Sequence, residues 1–237
     1  MATLNELYYE LWLDVSQSIA DDSVLDSRLL KQFIHTTRAL FARNEMNKSH
    51  RTVDAALIQD LGMVELEMAD SFVDTGLDNI SYTILRSREL IPRAIELHNK
   101  PAITYVGSVD QIQKSFKLVD ISSVPYTGNG KFNKSLIFAF PMNDRIYVIG
   151  NCNNIAFKGL KYINVKGVFE NPEDAAKFNR PDGTPCYSDE EQYPLPNYMW
   201  KYIKKEIIST DLRQFYVPIE DDKNNADNDI NRLESDK

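Results

Sequence analysis

The sequence contains little cysteine and no long apolar run. Among its 237 residues only Cys152 and Cys186 are cysteines, too few for a disulfide framework and without C-x-x-C spacing, so a reducing, intracellular origin is expected. The longest apolar run, residues 136–142, is far shorter than the about 20 residues of a membrane-spanning helix. Glu6 and Glu10 stand where a secretory signal would be basic and then apolar. The sequence therefore predicts a protein that neither crosses a membrane nor is targeted to one.

Basic residues are in deficit. The chain has 27 Lys and Arg residues against 35 Asp and Glu residues, a formal net charge of −8 at pH 7. A chain with this balance has no general attraction to nucleic acid or to an anionic membrane surface, so any such binding would have to be local. Its hydrophobic content of 43% is enough to fill the core of one large domain or two small ones.

Signatures of catalysis, cofactor binding and metal binding are also missing. The stretch TGNGK, residues 127–131, lacks the first glycine and the Ser or Thr of a phosphate-binding loop and is interpreted as a hairpin turn. The three histidines have no metal-ligand spacing, and His35 is predicted at the boundary or surface of a helix. Residues 225–229 begin like a calcium loop, but Ile230 replaces its glycine. No catalytic, cofactor or metal residue is predicted from these motifs.

Helical patterns occupy both ends of the chain. A capping box of Thr3 and Glu6 starts a first amphipathic helix, and DDSVLDS provides turn and cap residues before a second one. The short connection between them predicts an antiparallel pair. A third helix is predicted over residues 196–212, with lysines facing water. The second helix has an apolar stripe of Leu29, Leu30, Phe33, Ile34, Thr37, Leu40 and Phe41, and the third has one of Met199, Trp200, Ile203, Ile207 and Ile208.

Strand-like patterns fill the middle of the sequence. MVELEMAD alternates apolar and acidic residues, as a half-exposed strand does, and several short runs separated by turn formers follow it. The fold class predicted is α+β, with a helical body and a central, mostly antiparallel β-region. The predicted parts are an N-terminal helical part, a β-rich insertion, a loop with the C-terminal helix that completes the helical body, and an acidic tail, at residues 1–62, 63–170, 171–219 and 220–237.

The second helix has a local excess of basic residues. Between Ser27 and Arg51 there are six basic residues and one acid, Glu45. This pattern fits a contact surface, and it fits a solvated helix face equally well. If it is a contact surface, its partner is either acidic protein surface or packaged DNA. The candidate contact residues on this helix are Arg28, Lys31, Arg38 and Arg43.

The last residues of the chain are acidic and almost without apolar side chains. Residues 220–237 hold seven acidic and three basic residues, which is too little apolar surface to offset the entropy of ordering them. The segment FYVPIE precedes this tail and either packs on the helices of its own chain or docks on a partner. Its candidate anchors are Phe215, Tyr216, Val217 and Ile219.

The order and the local amino-acid sequence of six segments resemble those of a known family. The likeness is to the ring or adaptor proteins that form the head-to-tail connector of crAss-like tailed bacteriophages, and it covers nearly all of residues 4–217. The tail after Ile219 shows no such likeness. The segments are LNELYYELWLDV, DSRLLKQFIHTTRALFARNE, LIQDLGMVELEMAD, RAIELHNKPAITYVGSVD, GLKYINVKGVFENPEDA and YPLPNYMWKYIKKEII.

The resemblance implies a structural virion subunit without enzymatic activity or cofactor. Such a subunit is made in the host cytoplasm and joins the virion at the neck. There, twelve copies form a closed ring below the portal, next to other neck and tail proteins and around the DNA channel. The resemblance also implies that a helical body lies against ring neighbours and portal, and that C-terminal segments reach into the subunit above. A ring contact of this kind joins two different surface patches of the subunit.

Two other interpretations remain open at the level of the sequence. The chain is alternatively another structural subunit of the tail or collar. The alternative from a different class is a metal-dependent hydrolase that uses acids in the loop before the last helix, where Asp182, Asp189 and Glu190 are the candidates.

Overall fold

A computed structural model of the chain describes residues 2–16, 26–48, 53–69, 84–98, 100–110, 115–127, 133, 135–150 and 155–213. Those residues contain helices and a β-sheet, so the α+β class is confirmed. The α-helices are α1 (Leu4–Ser16), α2 (Ser27–Met46), the short α3 (Ile155–Lys158) and α4 (Asn197–Ser209). Three short 3-10 helices lie at Ala55–Leu57, Ile121–Tyr126 and Pro172–Lys177.

The capping box that begins α1 is present as predicted. The backbone N–H of Thr3 donates to Glu6 Oε2 over 2.9 Å, and the N–H of Glu6 donates to Thr3 Oγ1 over 3.2 Å. These two bonds satisfy backbone donors that have no partner inside the helix. Of the stripe predicted from its spacing, which is Leu4, Leu7, Tyr8, Leu11, Val15 and Ile19, the helix buries Leu4, Leu7, Leu11 and Val15. Tyr8 is partly buried, and Ile19 lies outside the described residues.

Helix α2 differs from its prediction at one apolar position. Asp26 caps its start by accepting from the N–H of Arg28, and Leu30, Ile34 and Thr37 are buried as expected. Leu40 was predicted to belong to the same stripe, but its side chain is 54% exposed. The buried face of α2 instead turns toward Arg38 and Ala42, because the helix packs against other parts of the chain on that side.

Helix α4 buries Met199, Ile203 and Ile207, and Pro196 precedes its first turn. Lys201 and Lys205 are exposed, as predicted. Lys204 departs from the prediction, because it is only 19% exposed and binds α1 through Glu10 and Asp14, each over 2.7 Å. This lysine ties the C-terminal helix to the N-terminal one.

The sheet is antiparallel except at one edge, which confirms the predicted mostly antiparallel arrangement. Its path is β1-β8-β2-β3-β7-β6-β5, and β4 also pairs with β8. The exception is β5, which runs parallel to β6. The strands are β1 (Gln59–Asp60), β2 (Val64–Met68), β3 (Ile84–Ser87), β4 (Ile103–Gly107), β5 (Lys117–Leu118), β6 (Phe138–Met142), β7 (Arg145–Ile149) and β8 (Tyr162–Gly167).

Turn residues fix two connections in the sheet. Asn143 and Asp144 join β6 to β7 with φ of 51° and 55°, the two positive φ angles that a tight type I′ hairpin needs. Gly62 joins β1 to β2 with φ of 61°. A Cβ atom on Gly62 would overlap the carbonyl oxygen of Asn179 and lie 2.9 Å from Cys186 Sγ. Only glycine allows this close approach of the two segments.

One buried core joins the helices to most of the sheet. It includes Leu11 of α1, Ile34 of α2 and Ile207 of α4 together with Val64 of β2 and Val165 of β8. A second, smaller cluster lies on β6 and β7 and consists of Phe140, Tyr147 and Ile149, with partly buried residues around it. The β-region therefore shares its main core with the helical body, and the domain boundaries stay a prediction.

No helix in the described ranges is both long enough and apolar enough to span a membrane.

Candidate subunit interface

A groove of about 670 Å³ runs beside the outward face of α2. One wall is α2, and the opposite wall is made by residues 95, 96, 170, 171 and 173 from the edge of the sheet region. We call it the α2 groove. Its lining residues are Arg28, Lys31, Gln32, His35, Thr36, Ala39, Leu40, Arg43, Ile95, Glu96, Glu170, Asn171 and Glu173.

Three of the four predicted basic contact residues line this groove. Arg28 and Arg43 are exposed, and neither forms an ion pair with another residue in the described part of the chain. Lys31 is partly buried, and its Nζ lies 2.6 Å from Asp189 Oδ2. The positive charge available to a partner on α2 therefore comes mainly from Arg28 and Arg43.

Arg38 does not belong to this surface, contrary to the prediction. Its side chain is fully buried and donates to the carbonyl oxygens of Pro194, Phe169 and Leu57 over 2.8, 2.9 and 3.4 Å. Its guanidinium carbon lies 5.7 Å from the centre of the Tyr193 ring. Burial lowers the pKa of Arg38 from its ordinary value. Arg38 is thus a structural residue that joins three segments inside the protein.

His35 is also buried, where a boundary or surface position was predicted. Its Nε2 lies 3.0 Å from Glu173 Oε1, and its Nδ1 lies 2.8 Å from the Tyr193 hydroxyl. Burial lowers the pKa of His35, despite the opposite effect of Glu173. In the neutral ring Nε2–H donates to the carboxylate, which can only accept, and Nδ1 accepts from the Tyr193 hydroxyl. His35 therefore fixes one side of the groove and is no free ligand.

The wall opposite α2 is acidic. Glu96, Glu170 and Glu173 line it, and the Oε1 atom of Glu170 lies 3.7 Å from Nε of Arg93. The groove thus has a basic wall and an acidic wall, with Ala39, Leu40 and Ile95 as its apolar lining. Such a surface suits a partner with an apolar centre and polar edges.

The acids named for a hydrolase have structural contacts. Asp182 accepts from the N–H and the hydroxyl of Thr184, and these bonds lower the pKa of Asp182. Asp189 pairs with Lys31, and the backbone N–H of Glu190 donates to Ser188 Oγ over 3.4 Å. Within the described ranges, no three His, Cys, Asp or Glu residues are grouped so as to hold a metal ion.

A second exposed surface was missed by sequence reasoning. Tyr9, Trp12 and Leu13 of α1 are 57%, 40% and 42% exposed, and the rings of Tyr9 and Trp12 stack with centroids 6.2 Å apart. The signal for it was present, because positions 9, 12 and 13 have the spacing of one helix face outside the buried stripe. We call these three residues the α1 aromatic face.

Several predicted features lie outside the described residues. These are the anchors Phe215, Tyr216, Val217 and Ile219, the acidic tail, the calcium-like stretch at residues 225–230 and most of TGNGK. The interface role predicted for the four anchors stays a prediction.

Comparison with known protein families gives a match over most of the chain. No curated protein matches the chain. The sequence model of a crAss-phage family described as phage tail ring protein 2 matches residues 6–230. This match supports a structural tail subunit that assembles with other tail proteins in the virion. Because it spans nearly the whole sequence, the chain belongs to the crAss-phage tail ring protein 2 family.

Proposed function

We propose that this tail ring protein forms part of the head-to-tail connector, docks to the portal and continues the DNA channel. The observation that carries the proposal is the match to a tail ring family over residues 6–230. A ring that lies between head and tail must meet a partner on each side and leave an open passage for DNA. The proposal therefore requires three kinds of surface on one subunit: a contact to its ring neighbours, a contact to the portal, and a wall of the channel.

The ring consists of identical subunits, twelve in number if it matches a portal. Closed rings use heterologous contacts, in which one patch of each subunit meets a different patch of the next. The α2 groove supports this arrangement, because a concave surface cannot fill a second copy of itself and needs a different, protruding patch of the neighbour. Arg28, Lys31 and Arg43 are its basic contact residues in the proposed ring.

The contact to the portal involves the terminal arm, which we define as residues 214–237. Phe215, Tyr216, Val217 and Ile219 provide apolar anchors, and the residues after them carry most of the arm's charge. A short anchored segment binds weakly by itself, but a closed ring repeats the contact and multiplies its strength. The arm is in this way suited to join two rings.

The channel wall is proposed from charge alone. A net charge of −8 on each subunit repels the DNA phosphates, which eases sliding and leaves only weak, non-specific contact with DNA. A basic channel would bind the phosphates and slow the passage of DNA.

Particle density tests the proposal directly. In an image reconstruction of intact virions, the chain is expected as a ring of twelve copies next to the portal, with residues 214–237 against a different subunit. A ring at another level of the tail or in the collar would overturn the portal contact and favour another structural tail subunit. A ring with a copy number other than twelve would overturn the stoichiometry alone.

A further inference from the structure

The α1 aromatic face is free of charge and held in place. The acidic residues of α1 that face α4 are engaged, since Glu10 accepts from Trp200 Nε1 over 2.8 Å and from Lys204 Nζ over 2.7 Å. Those contacts fix the rotation of α1 and leave Tyr9, Trp12 and Leu13 on another side. Stacked Tyr and Trp side chains on a rigid helix are typical of the centre of a protein interface.

The α2 groove has the chemistry that such a face requires. Its apolar lining includes Leu40, whose side chain is 54% exposed, and the small residue Ala39. Arg28 and Arg43 border it and have no acidic partner among the described residues. A guanidinium group binds well over the faces of Trp and Tyr rings. The aromatic face and the groove therefore differ in composition and complement each other.

We propose that in the assembled ring the α1 aromatic face of one subunit lies in the α2 groove of the next subunit. This inference rests on the proposed ring of identical subunits and names its contact. Trp12 and Leu13 contact Leu40 and Ala39, and the two arginines lie over the aromatic rings. No residue of α1 lines the groove of its own subunit among the described residues, so the two surfaces are separate patches. Separate complementary patches are what a heterologous ring contact needs.

The main competing occupant of the groove is the terminal arm, whose acidic residues would also pair with Arg28 and Arg43. It fits less well, because Glu96, Glu170 and Glu173 on the opposite wall would repel it. It would also leave the α1 aromatic face without a partner. A neighbouring α1 avoids both problems, since its outward face carries no charge at positions 9, 12 and 13.

Thiol crosslinking in assembled particles tests the contact. The starting protein carries Cys152→Ser and Cys186→Ser, and the test variant adds Trp12→Cys and Leu40→Cys. Virions are assembled from a mixture of this variant and the cysteine-free starting protein, so that the ring forms, and are treated with a short bismaleimide. Because each variant subunit carries both new thiols, linkage of residue 12 to residue 40 between adjacent variant subunits yields a ladder of dimers, trimers and higher species.

The control variants are expected to give no ladder of crosslinked species. Trp12→Cys alone and Leu40→Cys alone leave monomers, and so does Leu40→Cys combined with Tyr126→Cys, whose side chain is 81% exposed elsewhere. Dimers from Trp12→Cys alone would show that two aromatic faces meet and would overturn the inference. A ladder from Leu40→Cys with Tyr216→Cys would assign the groove to the terminal arm and would also overturn it.

A second crosslinker distinguishes failure of the proposed α1 contact from failure of the proposed ring. A lysine crosslinker applied to the same particles is expected to give a ladder whatever surface is used. Its presence without the thiol ladder overturns the α1 contact and leaves the ring intact, whereas its absence overturns the ring. Some variants could fail to enter mixed rings. If the variants at Trp12 and Leu40 are excluded while the variant at Tyr126 is incorporated, the result supports the contact.

Discussion

At the scale of single residues, the buried side chain of Arg38 joins three separate segments of the protein. It holds the carbonyl oxygens of Leu57, Phe169 and Pro194, which belong to segments far apart in the sequence. Buried carbonyl groups that lose their donor cost free energy, and no water can replace the donor in a packed core. Arg38 thereby fixes α2 against the end of the sheet and against the loop before α4.

We expect Arg38→Met to lower the free energy of unfolding of the isolated subunit by about 3 kcal/mol, because three buried acceptors lose their donor while the apolar stem is kept. Urea denaturation, monitored by circular dichroism, measures this change in the free energy of unfolding. The matched control is Arg43→Met on the same helix, where the side chain is exposed and the change should stay within about 0.5 kcal/mol. Equal effects of the two substitutions would show that the bonds of Arg38 contribute nothing measurable.

The sequence did not reveal the burial of Arg38 or of His35, for the same physical reason. Both residues lie on a helix face that local periodicity assigns to the boundary or to solvent. Most of their partners, including Phe169, Glu173 and Tyr193, are more than a hundred residues away along the chain. A polar side chain is buried only where such partners satisfy it, so its burial depends on tertiary contacts.

At the scale of secondary-structure elements, the features that depend on residues close together in the sequence were predictable. The capping box of α1, the start of α4 after Pro196 and the turn at Asn143 and Asp144 each depend on residues close together in sequence. The apolar stripes of α1 and α4 were correct at their buried positions. The exposure of Leu40 on α2 was missed because spacing defines a stripe, but only the partners of the helix decide how far it is covered.

The turn between β1 and β2 depends on Gly62. We expect Gly62→Ala to lower the free energy of unfolding by about 2–4 kcal/mol, because a side chain at positive φ is strained and would also overlap Asn179. The same denaturation measurement applies. Gly183→Ala is the control: its φ is 84°, but no atom lies within 4 Å of the added Cβ, so about 1 kcal/mol of strain is expected. A smaller loss for Gly62→Ala than for Gly183→Ala would contradict the close approach.

At the scale of the whole molecule, the folded body and the terminal arm should be separable. The main buried core reaches Leu212 and includes both terminal helices. We expect a chain that ends at Arg213 to keep its stability within about 1 kcal/mol, as for loss of surface residues, because its core is complete. We expect it to lose at least about tenfold in affinity for portal, since the repeated arm contact is removed. Thermal unfolding and co-sedimentation with portal measure the two effects.

A chain that ends at Ile219 distinguishes the anchors from the acidic residues. If Phe215, Tyr216, Val217 and Ile219 provide the contact, this longer chain should bind portal nearly as well as the full protein. If its affinity for portal falls as far as that of the chain that ends at Arg213, the acidic residues after Ile219 provide the contact. Unchanged portal binding by the chain that ends at Arg213 would remove the arm from the portal contact.

By itself the sequence determined the α+β class, the starts of the main helices, the mostly antiparallel sheet and the resemblance to ring proteins of crAss-like phages. These depend on periodicity, capping residues, turn residues and segment order, all of which are local or directly readable. Only the tertiary structure decided which polar side chains are buried, which apolar ones remain exposed, and that α2 and the sheet edge enclose a groove. Those properties depend on contacts between residues distant in the chain, and local spacing does not contain that information.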